Sequence, residues 1–221
     1  MKILSTEDQS YTIFSDQFST SYHSLHGAVQ ESMHVYIQAG MYGYQKFFGL
    51  PKTLRIFEMG FGTGLNACLS LMESDTLGCK IMYHTIEKYP LSSEFAEAYT
   101  RMYFGQPYEE KLQILHGLSW DFPHALTSNF EITKVACDFF DFKVEQKFDV
   151  LYFDAFGPST QPDLWGEKAV SKMYDLLADQ GILTTFCAQG QFKRLLKAQG
   201  FTVHSLPGPK GKREITQAVK G

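Results

Sequence analysis

Residues 56–71, IFEMGFGTGLNACLSL, place Gly60, Gly62 and Gly64 directly after an acidic side chain, Glu58. Ahead of them, Leu54, Ile56 and Phe57 are apolar and partly β-branched; behind them Leu65, Cys68, Leu69 and Met72 recur at helical spacing. The stretch therefore reads as strand, tight loop and helix. Glycines let such a loop turn sharply and come close to a ligand, and the helix that follows offers free N–H groups to an anion.

The spacing is Gly-x-Gly-x-Gly, whereas dinucleotide enzymes carry Gly-x-Gly-x-x-Gly. Glu58 suits a cationic amine and the helix N-terminus suits a carboxylate. An amino-acid-bearing nucleoside has both, and S-adenosyl-L-methionine is the candidate cofactor. A second carboxylate, Glu87, ends the next apolar run, where a strand-end acid accepts hydrogen bonds from both ribose hydroxyls. A third, Asp138 after ITKVAC, can take an adenine amino group, with Asp141 as its rival because the strand boundary inside CDFFDF is open.

Outward from this unit the chain alternates. Strands are expected at 53–59, 81–87, 132–137, 148–155, 181–187, 200–206 and 213–219, and helices near 64–74, 91–103, 163–178 and 189–198. That order implies an α/β, Rossmann-like, doubly wound and mostly parallel seven-stranded sheet. The last two strands, joined only by a Pro/Gly loop, must return antiparallel. Residues 1–50 read as a small N-terminal extension before a domain at 51–221. Within it, residues 11–15 and 18–22 form a possible hairpin, and a helical stretch over 27–48 is loosened by Gly40 and Gly43.

The run FDVLYFDAFGPSTQPDLW, residues 148–165, ends a strand in Asp154 and continues with Phe156, Gly157 and Pro158. Methyl transfer from a sulfonium to a nitrogen is an in-line displacement in which positioning dominates. An acid can hold the amine and keep its lone pair available while an aromatic packs by the reacting group. Asp154 and Phe156 are the candidate catalytic residues, with Pro158 beside them; the bland alternative is an Asp that caps the helix after Pro162.

Composition bounds the rest. The chain has 221 residues, 44% of them hydrophobic, enough for one compact domain. No apolar run approaches a membrane span and no signal-peptide core opens the chain, so a cytoplasmic protein without a membrane partner is expected. Cys68, Cys79, Cys137 and Cys187 are scattered without ligand spacing, and no metal is expected. Net charge is −4, yet residues 181–221 hold seven Lys and Arg against one Glu, a local balance of +6. Lys193, Arg194 and Lys197 on one helix, and Lys210, Lys212 and Arg213 in the final loop, are candidates for a phosphate track. A solvated helix face and charged tail is the competing reading.

The strings EMGFGTGLN, IEKYPL and DAFGPSTQPDLW, with the ending from Gly181 to Ile215, resemble the methyltransferase portion of the bifunctional bacterial tRNA wobble-uridine enzymes called MnmC. The resemblance runs from about Gly27 to Ile215. It implies a class I S-adenosyl-L-methionine-dependent fold and N-methylation of the 5-aminomethyl group of wobble (2-thio)uridine in tRNA, giving the 5-methylaminomethyl nucleoside. It also implies that Glu58, Gly60, Gly62, Gly64, Asn66 and Glu87 line the cofactor site. Asp154 would then face the substrate amine, and Glu31 and Ser32 would border the pocket. The family's oxidase domain has no counterpart in this length, so a stand-alone methyltransferase is expected. Two alternatives remain: a methyltransferase for a small-molecule amine, and a non-catalytic module that binds S-adenosyl-L-methionine or NAD.

Overall fold

The computed structural model describes residues 1–221. The chain opens with a three-stranded antiparallel sheet, β1 (Lys2–Ser5), β2 (Tyr11–Ser15) and β3 (Thr20–Ser21), so the expected hairpin gains a strand at its N-terminal side. Next come α1 (Ala28–Ser32), a π-helical segment (Met33–Met41) and α2 (Tyr42–Phe48). The main unit follows as β4 (Thr53–Met59), α3 (Leu65–Leu77), β5 (Lys80–Ile86), α4 (Ser93–Arg101), α5 (Glu109–Gly117), β6 (Pro123–Ala125) and β7 (Phe130–Val135). It ends with β8 (Phe148–Phe153), a 3₁₀ turn (Pro162–Trp165), α6 (Glu167–Leu176), β9 (Leu177–Thr185), α7 (Gly190–Gln199), β10 (Phe201–Pro207) and β11 (Glu214–Lys220).

The large sheet has the order β10-β11-β9-β8-β4-β5-β7-β6. Pairs β9–β8, β8–β4, β4–β5 and β5–β7 are parallel, and β11 runs antiparallel to both β9 and β10. The fold is thus the expected Rossmann-like one, with eight strands in place of seven. The addition is β6, three residues that pair antiparallel with β7 at the sheet edge. Its length and its proline give no apolar alternation to read, and an edge tolerates a residue that cannot donate. The helix expected at 163–178 is split as well, because Gly166 is extended between the 3₁₀ turn and α6.

Successive residues of the central strands point to opposite faces. Ile56, Val150 and Tyr152 join one core with the π-helical segment, α3 and α5; Phe57, Leu151 and Phe153 join the other with α6 and α7. All six residues of β8 are buried, as befits a parallel strand covered on both sides.

The glycines that loosen 27–48 have a positive use. A Cβ on Gly40 would meet the Tyr152 ring at 2.7 Å and Thr184 at 2.9 Å, so its absence brings the π-helical segment down onto the sheet. The wider winding leaves carbonyls that the sheet satisfies: Thr184 Oγ1 donates to Val35 at 2.7 Å and Gln217 Nε2 to Ala39 at 2.6 Å.

Candidate functional site

The chain leaves β4 at the centre of the sheet, with β5 on one side and β8 on the other. The crevice beyond their C-terminal ends is the switch point at which open α/β sheets bind ligands. A cavity of about 450 Å³ lies there. Gly60 and Phe61 N–H groups donate to the Ile86 carbonyl at 3.0 and 3.1 Å, and Asp154 N–H donates to Met59 at 3.1 Å. The three loops are thereby stitched into one rim. Gly60, at φ +94°, lies so close to the neighbouring loop that a Cβ would meet the Asp154 carbonyl oxygen at 2.7 Å. Gly62, at φ +50°, sits under the Tyr22 ring, which a Cβ would meet at 2.9 Å. Gly64 caps α3 from behind the rim and does not face the cavity.

Glu87 lies in the cavity wall: one carboxylate oxygen accepts from Gly62 N–H at 3.0 Å, the other from Tyr89 N–H at 2.8 Å. Each oxygen keeps a lone pair for a ligand hydroxyl. Burial raises the carboxyl's pKa, against those backbone hydrogen bonds. Glu58 is fully buried beneath the rim, outside the cavity wall, and neither carboxylate oxygen has a hydrogen-bond partner. Burial pushes it up to about 8, with Thr85, Asn66 and Tyr83 as its polar neighbours. Asp138 also lies outside the wall: its carboxylate is held by Lys88 Nζ at 2.8 Å and accepts from Phe140 N–H at 2.8 Å.

Asp154 stands in the cavity wall with a donor on each oxygen. Tyr36 OH donates to Oδ1 at 2.6 Å and Asn66 Nδ2 to Oδ2 at 2.8 Å. Burial raises its pKa, while the His23 imidazole, the Tyr36 hydroxyl and the Asn66 amide oppose the rise. Phe156 follows in the same wall, its loop fixed by Phe156 N–H donating to Gln161 Oε1 at 3.0 Å and Trp165 Nε1 donating to the Phe156 carbonyl at 2.8 Å. Pro158 is not part of the wall, although Gly157 and Ser159 are.

Much of the remaining wall comes from the N-terminal extension. Phe18 and Tyr22 pack on Phe156 with ring centroids 4.6 and 5.0 Å away, and His23 reaches Thr63 Oγ1 at 2.8 Å through Nε2. Glu31 accepts from Ser24 N–H at 2.8 Å and pairs with Lys212 at 2.5 Å. Ser32 is buried away from the cavity. Neither Tyr36 nor His23 carries a sequence signal for this site; only the π-helical winding and the fold bring them to Asp154.

The basic residues of 181–221 differ in their partners. Lys212 lines the cavity and Lys210 pairs with Glu7 at 2.7 Å. Lys193 pairs with Glu214 at 2.8 Å, and Lys220 donates to the Tyr174 and Leu177 carbonyls. Arg194, Lys197 and Arg213 are exposed. No helix is long and apolar enough to cross a membrane.

Residues 124–221 match the family described as S-adenosyl-L-methionine-dependent methyltransferase. The chain is 29% identical over 221 residues to the tRNA 5-methylaminomethyl-2-thiouridine biosynthesis bifunctional protein MnmC of Cupriavidus metallidurans, covering 94% of this chain and 32% of that protein. It is 27% identical over 212 residues to the MnmC of Pseudomonas fluorescens, covering 90% and 32%. It thus spans about a third of the length of these curated relatives. Among solved structures, MNMC2 from Aquifex aeolicus superposes with a TM-score of 0.78 at 22% identity, over 98% of this chain and 69% of that one. Spermidine synthase from Thermotoga maritima superposes at 0.57 and 16% identity, over 100% and 72%.

Proposed function

We propose that this chain, an MnmC-like methyltransferase domain with the S-adenosyl-L-methionine-dependent fold, methylates the 5-aminomethyl group of wobble (2-thio)uridine in tRNA. The observation that carries the reading is Asp154: a half-buried carboxylate in the wall of the switch-point cavity, oriented by Tyr36 and Asn66. Such a group attracts a cation, and an aminomethyl substituent arrives as one.

The cavity's donor set fits the cofactor. Gly60 and Gly62 have no room for side chains, and Glu87 keeps lone pairs for two hydroxyls. Glu87, the glycine loop and Asn66 would hold the cofactor, with Glu58 acting on Asn66 from below. Bound S-adenosyl-L-methionine supplies an electrophilic methyl group on its sulfonium. Asp154 binds and orients the amine, Tyr36 and Asn66 fix the carboxylate, and Phe156 packs beside the acceptor and excludes water. Residues 1–50 act as an extension that covers the cavity of the domain at 51–221, and the enzyme works in the cytoplasm on tRNA. Arg194, Lys197 and Arg213 remain as phosphate contacts, while Lys212 serves the cavity.

The test is mass spectrometry of nucleosides from tRNA incubated with the protein and labelled cofactor. Label in 5-methylaminomethyluridine or its 2-thio form is expected, and its absence from tRNA that carries the aminomethyl precursor sinks the reading. The internal pairing of Lys193, Lys210, Lys212 and Lys220 favours one alternative, a small-molecule amine as acceptor. Transfer to free amines but not to RNA would decide for it.

A further inference from the structure

A carboxylate that attracts an ammonium also opposes its deprotonation, because an opposite charge nearby favours the charged form. The nitrogen attacks the methyl group only through its lone pair, so the proton has to leave to a second acceptor. Asp154 is a poor choice for that role. Each of its oxygens receives one hydrogen bond, from Tyr36 or Asn66, and these favour the ionised form, opposing the rise that burial causes.

His23 stands in the same cavity wall and is buried. Its backbone N–H donates to Thr12 Oγ1 at 2.9 Å and its Nε2 meets Thr63 Oγ1 at 2.8 Å, so the ring is fixed between the extension and the glycine loop. Nδ1 makes no hydrogen bond within the protein. With Nε2–H donating to Thr63, Nδ1 carries the lone pair.

We propose that His23 accepts, at Nδ1, the proton that the substrate ammonium must lose before methyl transfer; the inference rests on the amine-methylating reading above. The N–H bond breaks as the Nδ1–H bond forms, the freed lone pair takes the methyl, and the product leaves as a secondary ammonium. The imidazolium then returns its proton to water. Burial holds the His23 pKa below its ordinary value, so the resting ring is neutral and ready to accept. Four charged groups act on it: Asp154 after β8, Glu31 on α1 and Asp8 between β1 and β2 favour the imidazolium, and Lys212 between β10 and β11 opposes it. Three carboxylates against one ammonium partly offset the cost that burial places on the cation once it forms.

The test compares the wild-type protein with His23→Gln and His23→Asn, on an anticodon stem-loop bearing 5-aminomethyluridine, across pH 6 to 10. At neutral pH the variants are expected to lose about 10²-fold in kcat. Their rates should then climb about tenfold per pH unit toward the range near pH 10 where a free amine deprotonates by itself. The gap to wild type closes there, and imidazole added to His23→Gln restores part of the neutral-pH rate. Cofactor affinity by calorimetry should stay within about threefold, since the ring does not bind it. A loss that is equal at every pH, a loss that follows weakened cofactor binding, or wild-type rates at pH 7 would each overturn the role. A wild-type protein that transfers no methyl to this RNA would instead overturn the amine-methylating reading, and this inference with it.

Discussion

Gly60 and Phe61 hang from the Ile86 carbonyl and Asp154 from that of Met59, so the inner wall of the cavity is fixed by backbone continuous with the sheet. The outer wall, residues 18–31, joins no strand of the large sheet and is pinned chiefly through side chains. His23 is held on Thr63, Tyr22 on Phe156, and Glu31 on Lys212. Backbone hydrogen bonds survive most substitutions, whereas side-chain pins are removed one at a time. The backbone of the inner wall is therefore sensitive where atoms are added, and the outer wall where atoms are taken away.

The largest effect should come from the one reactive side chain of the inner wall. Asp154→Ala is expected to lower kcat by about 10³-fold with cofactor affinity nearly unchanged, a loss of acceptor positioning. Calorimetry beside single-turnover kinetics measures both, and a variant as fast as wild type would remove Asp154 from the reaction. Gly62→Val comes next. The new side chain would need φ near +50° and would meet Tyr22 at under 3 Å, so it strains the inner wall and displaces a pin of the outer one. Cofactor binding should weaken by about 10²-fold while the far-ultraviolet spectrum stays native. A Gly62→Val protein that binds the cofactor like wild type would show that the loop is free to rearrange.

Lysines that look alike in the sequence separate the two kinds of construction further. Lys212→Met leaves the Glu31 carboxylate, 7% exposed, without its cation, and should destabilise the protein by about 1–3 kcal/mol in denaturant titrations. Joint charge reversal of the exposed Arg194, Lys197 and Arg213 should change stability by only about 0.5 kcal/mol. It should instead flatten the salt dependence of RNA affinity by roughly 0.7 per lost phosphate contact. If the exposed trio leaves RNA binding untouched at every salt concentration, the nucleic-acid face lies elsewhere.

A further expected effect concerns Glu58, beneath the inner wall. Its folded pKa of about 8 lies above the unfolded value of 4.5, so between those values the folded state holds more protons than the unfolded one. Stability from this group is complete below about pH 4.5 and is lost as pH rises through 8. Glu58→Gln should remove that dependence and raise Tm at pH 8.5. Identical Tm-versus-pH curves for the two proteins would mean that Glu58 titrates normally.

The sequence alone determined the central unit and where its candidate residues fall along it. The run from Thr53 to Leu77, the acid at the end of β5, the Asp154–Phe156 tract and the antiparallel return of the last two strands are written in neighbouring residues, as turn glycines and period-two or helical spacing. The short edge strand β6, β1 and the π-helical segment were not legible. The two strands are too brief for a period to show, and the π segment exists because Gly40 admits Tyr152 and because Thr184 and Gln217 reach its carbonyls. Tertiary structure also decided which candidates meet. Tyr36 and Asp154 are 118 residues apart, and Glu31 finds Lys212 only because the β10–β11 loop folds back over the extension. Charge counting cannot tell a lysine that faces solvent from one buried against a carboxylate, since ion pairing is a property of three-dimensional distance and dielectric. For that reason the six basic residues proposed as one phosphate track in the sequence find different surroundings in the fold.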